Sequence, residues 1–201
     1  MAPRRYDAPK RAQMQETTRL RILDATAALH AEKGAIATSY ADIAARADVA
    51  VPTVYKHFPD RAALLQGCTS HAAREAPPVG AEIFAAHAQP LDRFAALVRA
   101  IYARHAYMEP WLQWAEHRVD PVLSAIVAPM EREVAELIGE ALSGGRRRPG
   151  KPAVALAAAL CAYPAWETMV RQQGLSSREA ARATVASVAA LLPTTEKRAS
   201  R

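Results

Sequence analysis

Residues 39–58 combine hydroxyl, cationic and small side chains at helical spacing. In the second half of this stretch, Ala50, Pro52, Thr53 and Lys56 fall on one face. Ammonium and hydroxyl groups can bind phosphates, and small side chains let a helix approach base edges in the major groove of DNA. These residue types therefore permit recognition of double-stranded DNA by the face of one helix.

Two short helices joined by a tight turn, a helix-turn-helix, are predicted for this stretch. Ser39 and Asp42 have the spacing of a capping box, so the first helix should begin after Ser39 and last two turns. The turn falls at Asp48 and Val49, and Pro52 suits the start of the second helix, where no amide hydrogen is needed. The residues predicted to point inward are Ile43, Ala44, Ala47, Val54 and Phe58.

The chain resembles the TetR family of bacterial repressors over residues 17–65. The residues that carry the resemblance are Ile22, Leu23, Leu29, Gly34, Asp42, Ile43, Ala44, the run Thr53-Val54-Tyr55-Lys56-His57-Phe58, Arg61, Leu64 and Leu65. The chain departs from the family pattern at His30, where an aromatic is common, at Asp48, where Gly is usual, and at Ala50, where a capping Ser is frequent. Asp tolerates a left-handed backbone better than most residues, so the turn is expected to survive, with a negative charge close to the phosphates.

The resemblance implies a surface that binds an operator. Tyr55, Lys56, His57 and Arg61 match family positions that clasp phosphates, and the start of the first helix directs its dipole at the backbone. The predicted DNA-binding residues are Thr38, Ser39, Tyr40, Ala50, Pro52, Thr53, Tyr55, Lys56, His57 and Arg61. Packing against the first helix is an alternative role for Tyr55, and capping a helix end is an alternative for His57.

The fold class predicted for the chain is all-α, with a three-helix DNA-binding head and a helical body that binds an effector and dimerises. The predicted domains are a flexible basic arm at residues 1–15, the head at 16–60, the body at 61–193 and a flexible tail at 194–201. Helices are predicted at Thr17–Lys33, from Asp60 to Glu75, from Pro90 to Pro110, at Trp111–Arg118, Pro121–Leu142, Ala153–Gln173 and Ser177–Leu192. Pro129 should kink its helix or divide it in two.

Composition excludes several other classes of protein. Among the 201 residues, 26 are basic and 20 acidic, a balance that disfavours a non-specific architectural DNA binder. No apolar run approaches the ~20 residues of a membrane span, and the N-terminus has no secretory signal, so we expect a cytoplasmic protein. His105 with Glu109, and Glu116 with His117, lack a nucleophile elbow, metal-spaced pairs or a phosphate loop, so neither an enzyme, a metal site nor a cofactor is predicted.

Three further features leave alternatives open. Cys68 and Cys161 have no neighbours at ligand spacing, so buried thiols are expected, with redox sensing as the alternative. The basic arm could follow DNA or remain a solvated tail, and the basic loop at residues 146–151 could touch DNA or simply be solvated.

The body concentrates large aromatic and sulfur-containing side chains near a few charged groups. These suit a pocket for a flat or apolar effector, with core packing as the alternative for each residue. The predicted ligand-binding residues are Tyr102, Tyr107, Met108, Trp111, Trp114, His117, Tyr163, Trp166, Glu167 and Met169.

The last two helices are rich in Ala, and in the family they pair with their copies in a second subunit. A homodimer through these helices is therefore expected, with Val188 and Leu192 at the interface. The sequence as a whole predicts a repressor that a small molecule releases from a palindromic operator. The alternative is a DNA-binding regulator without an effector.

Overall fold

The computed structural model describes residues 8–143 and 149–192, which are helical and contain no strand. Their α-helices are α1 (Ala8–Lys33), α2 (Tyr40–Ala47), α3 (Val51–His57), α4 (Arg61–Ala72), α5 (Pro90–Leu112), α6 (Pro121–Leu142), α7 (Lys151–Cys161), α8 (Tyr163–Glu167) and α9 (Ser177–Ala189). Short 3-10 segments lie at Ala73–Glu75, Ala81–Ala86 and Glu116–Arg118, and a π-helical turn lies at Thr168–Gln172. The predicted all-α fold is confirmed.

By their contacts, the residues divide into two compact units. The first contains the chain up to Glu75 together with Pro110–Ile126, and the second contains Ala76–Glu109 together with the chain from Val127 onward. The first unit thus contains α1 to α4 and the segment that connects α5 to α6. The domain boundaries at residues 60 and 193 stay predictions.

Helix α1 begins nine residues earlier than predicted. Ala8 to Gln15, which were predicted to form a flexible arm, are helical. Pro9 lies in the first turn, where backbone amides make no hydrogen bond within the helix, so its lack of an amide hydrogen is tolerated. The hydroxyls of Thr17 and Thr18 donate to the carbonyls of the residues four positions earlier. The rest of the predicted arm, the tail and most of the basic loop lie outside the described residues.

Two prolines lie within helices, and the helix end predicted before Pro110 is wrong. Pro110 lies inside α5, which ends two residues later, so its ring disturbs only the last turn. Pro129 lies inside the single helix α6 and does not divide it into two helices, which was one of the two predicted outcomes. The helix predicted at Ala153–Gln173 is instead broken at Ala162, and the two pieces are bent by 62°.

The break at Ala162 is stabilised from α5. Pro164 has no amide hydrogen, so the carbonyl of Leu160 loses its helical donor and accepts a hydrogen bond from Tyr102 Oη at 2.8 Å. The carbonyl of Cys161 accepts from His105 Nε2 at 2.8 Å. Tyr102 Oη in turn accepts from the Thr184 hydroxyl of α9 at 2.7 Å. The buried Tyr102 and the half-buried His105 of α5 therefore hold α7, α8 and α9 in register.

Each unit has its own apolar core. In the first, Ile22, Ile43, Val54 and Phe58 pack together, as expected for a helix-turn-helix. The core of the second unit contains Phe94, Leu97, Tyr102, Ile138, Trp166 and Val188. Among the described residues no single helix is long and apolar enough to cross a membrane, although the bent pair Lys151–Cys161 and Tyr163–Gln172 meets that test by length and composition.

His30 lies in the core of the first unit, where it is only 7% exposed. Its Nδ1 is 3.5 Å from Cys68 Sγ. Burial, aided by the positive charge of Arg61, lowers the pKa of His30 to about 4. Burial likewise raises the pKa of the Cys68 thiol to about 12, so Cys68 is a packed thiol and a poor nucleophile.

His30 should make the protein sensitive to acid. The unfolded chain takes up a proton on this ring near pH 6.5, whereas the folded chain does so only near pH 4, so stability falls as the pH drops between these values. In the wild type, the free energy of unfolding should fall by roughly 3 kcal/mol over that range because of His30, and His30→Phe should abolish this fall. Urea unfolding of both proteins across the range measures the difference, and parallel pH profiles would contradict the assignment.

Candidate functional site

The start of α2 is fixed by the predicted capping box. Ser39 Oγ accepts from the Asp42 amide at 3.1 Å and donates to Asp42 Oδ2 at 2.7 Å, and Lys33 Nζ is 2.9 Å from the same oxygen. The ammonium of Lys33, with the hydrogen bonds from Ser39, holds the pKa of Asp42 well below its usual range. The Thr38 hydroxyl donates to the Gly34 carbonyl at 2.7 Å. The hydroxyl hydrogens of Thr38 and Ser39 are thus directed at acceptors inside the protein.

The turn between α2 and α3 has the left-handed backbone expected at Asp48, with φ of 50°. The amides of Asp48 and Val49 donate to α2 carbonyls at 3.3 and 3.0 Å, which closes the helix end. Arg21 Nη2 of α1 donates to the Ala47 and Asp48 carbonyls at 2.5 and 3.1 Å and lies 3.5 Å from Asp48 Oδ2. Arg21 therefore braces the turn and offsets the carboxylate charge there.

Helix α3 has the two faces expected of a recognition helix. Val54 and the following Phe58 are buried as predicted, and the exposed residues are Ala50, Val51, Pro52, Tyr55 and Lys56. Thr53 is half-buried. The Tyr55 ring stacks on Tyr40 with centroids 4.4 Å apart. Tyr55 thus packs on Tyr40 of α2, and its side chain remains half exposed.

The remaining cationic candidates, His57 and Arg61, are less available to phosphates than Lys56. Partial burial, together with the positive charges of Lys56 and Arg19, lowers the pKa of His57, so the ring is neutral at neutral pH and could donate only one hydrogen bond. Arg61 Nη2 is 2.6 Å from Asp120 Oδ2. Arg61 is therefore already paired, which weakens the case for a phosphate contact from its guanidinium.

A carboxylate from the segment between α5 and α6 holds the connection between α1 and α2. Glu116 Oε2 and Oε1 accept from the backbone amides of Ala35 and Ile36 at 2.6 and 2.9 Å. Gly34 has φ of +82°, and a Cβ atom there would collide with the Glu116 carboxylate. Gly34 is therefore required both by its backbone conformation and by this close approach. Glu116 was missed in the sequence because it is distant along the chain and matches no motif.

Two tryptophans predicted to bind an effector instead pack on α1. Trp111 Nε1 donates to the Ala27 carbonyl at 2.8 Å, and Trp114 Nε1 donates to the Ala31 carbonyl at 3.3 Å. With His117, they belong to the first unit, whereas the other seven predicted ligand residues belong to the second. The structure therefore gives both indoles a hydrogen bond within the first unit, and ligand binding by the ten residues stays a prediction.

In the second unit, an aromatic cluster forms around His105. Its ring centroid lies 5.6 Å from Tyr163 and 6.1 Å from Trp166, and Tyr163 and Trp166 are themselves 5.6 Å apart. Burial lowers the pKa of His105, so the imidazole is neutral when it donates to Cys161. Glu167 and Met169 are half-buried nearby in sequence, and Met169 packs on the core. Tyr107 and Met108 lie near the end of α5, where Tyr107 is 37% exposed.

Residues 22–68 match the family model described as bacterial regulatory proteins, tetR family. Over these residues the chain is similar to the TetR family of bacterial regulatory proteins. The matched residues include α2, α3 and the turn between them. No curated protein matches the chain by sequence.

Solved structures share the TetR-family fold along most of the chain. One is described as a TetR-family transcriptional regulator from Rhodococcus sp., with a TM-score of 0.66, 20% identity, and coverage of 88% of this chain and 100% of that one. The multidrug binding protein EbrR, complexed with imidazole, has a TM-score of 0.56 and 22% identity, with 90% and 97% covered. LfrR from Mycobacterium smegmatis, complexed with proflavine, has a TM-score of 0.53 and 21% identity, with 91% and 99% covered.

Replacing Glu116 should loosen the start of the helix-turn-helix. Glu116→Ala leaves the Ala35 and Ile36 amides without their charged acceptor, which should lower the stability of the first unit by about 1–3 kcal/mol. Hydrogen exchange of these two amides should quicken. Glu133→Ala, an exposed carboxylate in α6, is the matched control. Unchanged exchange at both amides in Glu116→Ala would show that the contact contributes nothing.

Proposed function

We propose that this TetR-family chain is a homodimeric repressor that binds a palindromic operator and that a small-molecule effector releases. The observation that carries the proposal is the outward face of α3, where small side chains and an exposed ammonium lie opposite a fully buried Val54. Such a face can enter a major groove, while the apolar face anchors it to α1 and α2. A regulator with no effector is the alternative, which operator release experiments decide.

Base recognition is assigned to the start of α3 and phosphate binding to its end. Ala50, Pro52 and Thr53 can meet base edges through methyl contacts and one hydroxyl. Lys56 and Tyr55 offer a charge and a hydroxyl to phosphates on either side of the groove. Contacts from Thr38, Ser39, Tyr40, His57 and Arg61 stay predictions, of which those from paired Arg61 and internally bonded Thr38 have the least support.

Phosphate contacts should show as salt-dependent, sequence-independent binding. Lys56→Ala should weaken binding to all duplexes and reduce the slope of log affinity against log salt by about one. Tyr55→Phe keeps the ring that stacks on Tyr40 and removes only the hydroxyl, so a loss of affinity would separate a phosphate contact from packing. Thr53→Ala should alter base preference instead.

Selection of genomic fragments by the purified protein, followed by gel shifts, supplies the operator and these measurements. Arg132→Ala, which removes an exposed positive charge in α6, is the matched control. If the wild-type protein shows no sequence preference across randomised duplexes, the repressor proposal is wrong and a non-specific DNA binder replaces it.

A dimer interface is proposed on the exposed faces of α7 and α9, and the residues differ from those expected. Val188 is completely buried in the core of its own chain, so it is not available to a partner, and Leu192 also packs on that core. Many of the exposed positions are instead small, and these are Ala155, Ala159, Ala183, Ala186, Ser187 and Ala190. Small side chains let helix axes approach closely, which suits packing against the same helices of a second copy.

Ala186→Arg should therefore disrupt dimers without damaging the core. A charge at the centre of a close-packed helix interface is costly to bury without a partner. Ala135→Arg, at an exposed position of α6, is the matched control. Light scattering should show monomers for Ala186→Arg only, with weakened operator binding, and a monomeric wild type would reject the interface.

Effector binding is proposed for the second unit, at the aromatic cluster of His105, Tyr163 and Trp166. Flat side chains at centroid distances of 5.6–6.1 Å offer faces and edges to an aromatic ligand. EbrR with imidazole and LfrR with proflavine are solved structures of this fold with ring compounds bound, which supports an effector of that kind. Release would follow if the ligand favours a dimer whose recognition helices no longer match the operator.

A further inference from the structure

The turn after α8 has an unusual geometry that places one arginine. Thr168–Gln172 forms a π-helical turn, in which the Gln173 amide donates to the Thr168 carbonyl at 3.0 Å. Such turns are rare and often occur at functional sites. The turn brings Arg171 over the ring of Trp166, with the guanidinium carbon 5.8 Å from the ring centroid. Arg171 also forms an ion pair with Glu109 at the end of α5.

The surroundings of Arg171 are acidic and aromatic. Glu109 and Glu167 both lie close enough to Tyr163 to raise its pKa, which burial already raises, to about 12. Tyr163 Oη is buried, remains protonated and has no hydrogen-bond partner within the described residues. The neighbouring His105 is neutral, as its lowered pKa requires. Glu109 thus pairs with Arg171, and both it and Glu167 lie near the hydroxyl of Tyr163.

Arg104, another cation near the aromatic cluster, makes its hydrogen bond elsewhere. Arg104, the next residue before His105, donates from Nη1 to the Pro77 carbonyl at 3.2 Å. Trp166 is otherwise buried, so if Arg171 moved away, the part of the indole face that it covers would become free beside the carboxylate of Glu109 and the ring of Tyr163. An aromatic face beside carboxylates is a favourable environment for a positive charge.

We propose that Glu109 and the ring of Trp166 form a binding site for flat organic cations, which Arg171 occupies in the free protein. The proposal rests on the effector site of the preceding section and names the class of ligand. A ligand cation takes the place of the guanidinium, stacks on the indole and pairs with Glu109. Arg171 can leave without burying its charge, because 54% of its side chain is already exposed to solvent.

Arg171 has two consequences for binding. Occupation by the protein's own guanidinium reduces the apparent affinity for the ligand, because the two cations compete for one carboxylate and one ring face. It also discriminates against neutral molecules, which cannot compensate for separating Arg171 from Glu109. The site thus selects by charge as well as by shape.

A matched pair of probes tests charge selection in the full-length protein. N-methylacridinium carries a permanent positive charge, whereas acridine has the same three rings and is uncharged in mildly alkaline buffer. Calorimetry in that buffer should show at least about tenfold tighter binding of N-methylacridinium. Equal affinity for the two probes, or no binding of the cation up to about millimolar concentration, would overturn the proposal.

Variants then test the roles of the two partners. Glu109→Gln should weaken binding of N-methylacridinium about tenfold and leave acridine binding unchanged. Arg171→Ala should strengthen binding of the cation severalfold, since the internal competitor is gone. Glu136→Gln, an exposed carboxylate in α6, should change neither affinity. If Glu109→Gln binds the cation as the wild type does, or if Arg171→Ala binds it more weakly, the assignment is wrong.

Operator competition separates this inference from the proposed function. A cation that binds with the predicted charge dependence but leaves operator affinity unchanged would support the site and contradict effector control. A protein that binds its operator and is released only by neutral compounds would support effector control and contradict the cation site. Far-UV circular dichroism of each variant confirms that the helices are intact.

Discussion

The carboxylate of Glu116 is the contact on which the arrangement of the first unit depends. After α1 ends at Lys33, the backbone amides of Ala35 and Ile36 need hydrogen-bond acceptors, which they find in the Glu116 side chain. Glu116 provides both, at a point where only glycine leaves room for its oxygens. Because Glu116 lies between α5 and α6, this contact ties the connection before α2 to a segment of the same unit that is distant along the chain. The Trp111 and Trp114 indoles strengthen the attachment through α1 carbonyls.

Electrostatic pairing prepares the same unit for a polyanion. Four of its carboxylates are paired with cations: Asp42 with Lys33, Asp48 with Arg21, Glu32 with Arg46 and Asp120 with Arg61. Exposed pairs of this kind contribute little to stability. Their larger effect is to cancel negative charge that would repel phosphates, while the exposed Lys56 on α3 keeps its charge.

In the second unit, a proline creates both the bend and the need for polar groups in the core. Pro164 removes one amide hydrogen, the chain turns at Ala162, and Tyr102 and His105 satisfy the carbonyls that are left. These two side chains are therefore committed to the fold. Glu109, Tyr163 and the face of Trp166 are not used in this way, and they form the proposed ligand site. The π-helical turn places Arg171 against them.

The sequence by itself determined the helix-turn-helix, because its signals are local. The capping box at Ser39, the left-handed turn at Asp48 and the inward Val54 and Phe58 each depend on residues a few positions apart. Proline positions were less informative, since Pro110 and Pro129 lie within helices whereas Pro164 accompanies a break, and packing decides between these outcomes. Only the tertiary structure could show that Glu116 binds the Ala35 and Ile36 amides, that the three predicted tryptophans divide between two units and that Val188 is buried in its own core. Such contacts join residues up to 84 positions apart, and no periodic pattern encodes which distant partner a polar or apolar side chain will meet.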